Sequence, residues 1–120
     1  QIIQRFYDLG VYPDWWKLEP FATDAAWANA CAAITRNDPH VRGIVVLGLD
    51  ASEADLAASL TLAAKQPLVK GFAIGRTIFG DAARGWLKGD LTDADAVQMM
   101  SDRYARLAAL WDKVREGEKK

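Results

Sequence analysis

Three short apolar runs, separated by segments of helical periodicity, set what this chain can fold into. The first lies within residues 11–20, where Asp14-Trp15-Trp16-Lys17-Leu18-Glu19 reads as extended and Pro20 stops it, because a residue before proline avoids the helical region. The second, residues 41–50 (VRGIVVLGLD), is continuously apolar and partly β-branched, as expected of a strand buried on both faces. The third, residues 68–79 (LVKGFAIGRTIF), reads as a strand loosened by Gly71 and Gly75.

Helices fill the gaps. Thr23 is placed to cap a helix over residues 24–36, which Asp38-Pro39 closes. Ser52-Glu53-Ala54-Asp55 resembles a capping box before a helix running to about Lys65, with Leu56, Leu60 and Ala63 or Ala64 on its apolar face. Gln66-Pro67 stops it. A short helix is expected near residues 81–87. Thr92-Asp93-Ala94-Asp95 then repeats the cap before the longest helix, where Val97, Met100, Tyr104, Leu107, Trp111 and Val114 recur at spacings of three and four. The opening stretch from Gln1 to Tyr7 reads as the end of a helix already under way, as expected of a fragment or a trimmed chain.

The order β-α-β-α-β-α-α implies right-handed crossovers and a parallel sheet covered on both sides. Three strands cannot close a barrel, and two long apolar edges would stay exposed. The expectation is therefore of one domain, residues 1–120, completed by further strands of a longer chain, by another polypeptide or by self-association. No linker or internal repeat interrupts it.

Composition removes several function classes. The formal net charge is −1 and basic residues do not cluster before the mixed-sign run at the end, which leaves no electrostatic footprint for nucleic acid. No apolar run approaches the roughly 18 residues that span a bilayer, and no signal-peptide pattern opens the chain. Cys31 is the single cysteine, which excludes an internal disulfide and makes a reducing cytoplasm the expected compartment.

Ligands in parallel α/β folds bind where the strands end and the βα loops gather. That rule selects Lys17 and Glu19, then Gly48 and Asp50, then Gly75 and Arg76. Side chains alternate along a strand, so Lys17 and Glu19 are expected on one face. An unpaired buried charge is unfavourable. Lys17 therefore reads either as half of an ion pair at a strand end or as a Schiff-base nucleophile in a dry pocket, which Trp15 and Trp16 would help to keep dry. Glu19 opposes the second reading, because a nearby carboxylate favours the ammonium form. Gly75 would let backbone N–H groups approach an anion and Arg76 would grip phosphate oxygens, the alternative being a structural arginine beside a space-relieving glycine. Gly48 would give backbone access to a ligand. Asp50 reads equally as a helix cap or a ligand contact. His40 is expected at the surface, Cys31 as a small buried hydrophobe, and neither as a metal ligand.

Asp14-Trp15-Trp16-Lys17-Leu18-Glu19-Pro20, GIVVLGLD from Gly43 to Asp50, and VKGFAIGRTIFG from Val69 to Gly80 together resemble one family. It is the aldolase domain joined to the sugar kinase of myo-inositol catabolism, in bifunctional 5-dehydro-2-deoxygluconokinase/5-dehydro-2-deoxyphosphogluconate aldolases. More distantly, the Lys-x-Glu and Gly-Arg segments are similar to class I tagatose-bisphosphate aldolases. The resemblance covers nearly all of the chain. It implies the C-terminal part of a parallel (β/α)8 barrel, with these strands as its sixth, seventh and eighth and a closing helix after them. It also implies cleavage of a phosphorylated sugar acid. Lys17 would be the Schiff-base lysine and Glu19 a proton shuttle or lysine partner. Gly48, Gly75 and Arg76 would hold phosphate. No cofactor is implied, since the iminium itself withdraws electrons, and the expected partners are the upstream strands and a fused kinase domain, or further copies of the chain.

Overall fold

The computed structural model describes residues 2–49 and 51–118. The opening helix α1 spans Ile2–Asp8 and leads to strand β1, Trp15–Leu18. Helix α2 (Asp24–Asn37), strand β2 (Gly43–Leu47), helix α3 (Glu53–Ala64), strand β3 (Val69–Ala73), and helices α4 (Arg76–Lys88) and α5 (Asp93–Glu118) follow. The caps expected from sequence form. The Ala26 N–H donates to Thr23 Oγ1 at 3.2 Å, the Asp55 N–H to Ser52 Oγ at 3.2 Å and the Asp95 N–H to Thr92 Oγ1 at 3.1 Å. Each satisfies a first-turn donor that its helix leaves unpaired.

The strands form one parallel sheet in the order β1-β2-β3. Lys17 pairs with Val45 and Val45 with Gly71. An irregularity at Ile44/Val45 places two residues of β3 against one of β2, so Val69 lies beside Ile44 and Gly71 beside Val45. One row of side chains, Trp16, Ile44, Val46 and Val69, is buried against the helices. It joins Trp27 and Ile34 of α2, Leu56 and Leu60 of α3, and Leu107 of α5 in one core.

The expected cover on both faces is not observed. Lys17 is exposed, and Val45, Leu47, Gly71 and Ala73 are half-buried. Strand β2 alternates instead of being buried throughout. The reason is topological: sequential strands that always step the same way across the sheet, through crossovers of one hand, keep every helix on one face. Among the described residues β1 and β3 are outer strands, each with one unpaired edge.

Two further expectations change. The third strand ends at Ala73, not near residue 79, and the helix after it starts at Arg76. Gly75 offers its carbonyl to the N–H groups of Ile78 at 2.8 Å and Phe79 at 3.1 Å, so the apolar segment after Gly75 winds into a helix. The α5 stripe is only partly inward: Leu107 is buried and Met100, Trp111 and Val114 are half-buried, whereas Val97 and Tyr104 are exposed.

Candidate active site

The site is built from the ends of the strands upward. An open hollow of about 600 Å³ follows β3 from Lys70 to Gly75, and Lys17 lines it as well. Lys17 reaches it from β1, two strands away. Behind the hollow stand Tyr104 and Trp111 of α5, whose rings meet Phe72 edge-on with centroids 6.4 Å away in each case. The Lys70 ammonium donates to the Pro67 carbonyl oxygen at 2.7 Å.

Gly75 is the N-cap of α4 and carries no side-chain cap. Its first-turn N–H groups and the positive end of the helix dipole favour an anion. A β-carbon at Gly75 would stand 3.1 Å from the Phe79 ring, a tight contact that the glycine relieves. Arg76 is the first residue of α4 and is exposed, one step later in the fold than the strand end expected from sequence.

Not every expected residue joins this hollow. Glu19 lies past the end of β1 and lines a second hollow of about 580 Å³, walled by Ile2, Ile3, Leu18 and Phe21. Among the described residues no salt bridge joins Lys17 and Glu19. Gly48 is buried just beyond β2, and a β-carbon there would stand 3.0 Å from the Ile74 side chain. Its glycine serves close packing of two strand ends. Asp50 lies outside the described residues.

Three contributors were not legible in the sequence. Lys70 lines the hollow because the register irregularity redirects it. Tyr104 belongs to the apolar stripe of α5 yet lines the hollow. Thr77 donates its hydroxyl to the Ala51 carbonyl oxygen at 2.9 Å, tying the start of α4 to the loop after β2. A Gly-Arg-Thr sequence read as a helix start would have pointed to that threonine. Elsewhere, burial pushes the Cys31 thiol above its ordinary range, which suits a packed side chain better than a nucleophile. His40 is exposed, its N–H donating to the Asp38 carboxylate at 2.9 Å.

Residues 1–115 match a family described as "Uncharacterized protein conserved in bacteria (DUF2090)". The chain belongs to this family. No curated protein matches it. The match takes in all three strands and the residues of the β3 hollow, so the site described above lies wholly within the family's extent. No helix among the described residues is long and apolar enough to cross a membrane.

Proposed function

We propose that the chain is the C-terminal part of a (β/α)8 barrel and carries the Schiff-base and phosphate-binding groups of a class I aldolase. The substrate would be 5-dehydro-2-deoxygluconate 6-phosphate, and the products dihydroxyacetone phosphate and malonate semialdehyde. The observation that carries the reading is the meeting of Lys17 and Gly75 in one hollow although 57 residues lie between them. A primary amine and a helix N-terminus within one hollow are what a phosphorylated ketone requires. The three motifs of the resemblance support the same reading, as does membership of the family in which aldolase domains of this kind fall.

Lys17 attacks the keto carbon and loses water to give an iminium, which accepts the electron pair released when the carbon–carbon bond breaks. A base takes the hydroxyl proton, either Glu19 or a residue of an earlier strand. Gly75 and Arg76 hold the phosphate, and Gly48 packs the loop beside them. Remote phosphate binding then orients the reacting carbon. Further strands, from an upstream segment and its fused kinase or from a second copy, pair with the free edges and dry the open face.

The exposure of Lys17 favours a second reading, a half-barrel that binds sugar phosphates or oligomerises without catalysis. Borohydride trapping with dihydroxyacetone phosphate separates the two. Mass analysis is expected to find an adduct on Lys17 that Lys17→Ala abolishes, and Arg76→Ala to weaken phosphate binding roughly ten- to a hundredfold. Absence of adduct, on this chain and on any longer parent, would remove the aldolase reading.

A further inference from the structure

Thr77 occupies the second position of α4, where a threonine ordinarily faces solvent or bonds to its own helix. Here its hydroxyl crosses to another element, donating to the Ala51 carbonyl oxygen at 2.9 Å. The Ala51 N–H in turn donates to the Gly48 carbonyl oxygen at 3.0 Å. From the opposite side Arg103 of α5 reaches α4 at two points one turn apart. It donates to the Thr77 carbonyl oxygen at 3.3 Å and to Asp81 Oδ2 at 2.7 Å. Its side chain is 21% exposed, the most shielded charged group among the described ion pairs. Asp81 also accepts from Arg84.

We infer that Thr77 and Arg103 are positioning residues that lock the first turn of α4 to Ala51 ahead of α3, so that Gly75 and Arg76 meet an anion as one preorganised unit. The inference rests on the phosphate-binding reading of Gly75 and Arg76 given above. Without the brace, that turn would have to be ordered at the moment of binding, and that cost would come out of the affinity. Neither residue touches the ligand. Both act through the backbone they hold, Thr77 through the Ala51 carbonyl and Arg103 through the Thr77 carbonyl.

The test uses the full chain with inorganic phosphate as the probe, and residue-resolved amide exchange at Ile78 and Phe79, whose N–H groups bond to the Gly75 carbonyl. Thr77→Val is expected to speed exchange at both amides and to weaken phosphate binding about three- to tenfold. Thr77→Ser should restore both, and Arg103→Leu should reproduce the faster exchange. Unchanged exchange in Thr77→Val would overturn the brace, as would faster exchange with undiminished phosphate binding, or a failure of serine to rescue. A parent protein that binds no phosphate would instead sink the phosphate reading, while exchange alone still decides whether the turn is locked.

Discussion

Gly43 lies so close to Leu68 that a β-carbon added to it would stand 2.8 Å from the Leu68 carbonyl oxygen. That oxygen already accepts the Ile44 N–H at 2.9 Å, so the start of β2 and the approach to β3 are fixed by one backbone bond and one missing side chain. The Lys70 side chain closes the space further, with its Cγ 2.5 Å from the same point. Gly43→Ala must push these strands apart or break the bond, and a loss of about 1–3 kcal/mol is expected in urea unfolding. Gly71→Ala is the control. A β-carbon there meets nothing within 4 Å, and its stability is expected within about 0.5 kcal/mol of the parent.

The Trp16 indole N–H donates to the Tyr7 hydroxyl at 3.0 Å, and both residues are buried. Tyr7→Phe keeps the ring and its edge-on contact with Trp16 but removes the acceptor. A buried donor left without a partner costs about 1–3 kcal/mol, and chemical denaturation should report a loss in that range. A neutral result would mean that water satisfies the indole in the variant.

Leu60 of α3 is fully buried, whereas Leu87 of α4 is 76% exposed. Leu60→Ala is expected to cost about 2–5 kcal/mol, from lost transfer energy together with the cavity left behind. Leu87→Ala should change stability by less than about 0.5 kcal/mol. Equal losses at the two sites would contradict a core confined to one face of the sheet.

Arg106 of α5 grips Glu53 at the start of α3 through two hydrogen bonds, at 2.9 and 3.2 Å. The bond from Arg106 holds the Glu53 carboxyl below its ordinary value of 4.5. A carboxylate depressed in the folded state adds stability above its unfolded pKa and loses it as pH falls through the folded one. The advantage of the parent over Glu53→Gln is therefore expected to be present near neutral pH and to vanish in acid below that range. Both side chains are well exposed, so the effect is small and should shrink further in high salt. Melting temperatures across pH would check it, and an advantage that grew on acidification would contradict the pairing.

Much of the secondary structure was readable from local chemistry. Thr23, Ser52 and Thr92 announce their helices because a cap needs only a side-chain oxygen three residues before an unpaired N–H. Leu56, Leu60, Ala63 and Ala64 read correctly as the inward face of α3, since helical period alone puts them there. The end of β3 was misjudged because Ile74, Ile78 and Phe79 continue the apolar run, and apolarity by itself does not separate strand from the first turn of a buried helix. Lys17 and Gly75 were legible as candidates from their places near strand ends. Their meeting in one hollow, and the separation of Glu19 from it, depended on where β1 and β3 end, at Leu18 and Ala73.

The sequence by itself determined the alternation of strands and helices, the caps, and the parallel order that such alternation imposes, because these follow from spacings of a few residues and from the hand of the crossover. Only the tertiary structure decided which face of the sheet is covered, where Lys70 points, and that Thr77 fastens one loop to another. Those outcomes rest on register and on contacts between residues far apart in the chain, such as Thr77 with Ala51 or Arg106 with Glu53, and local pattern carries no information about either.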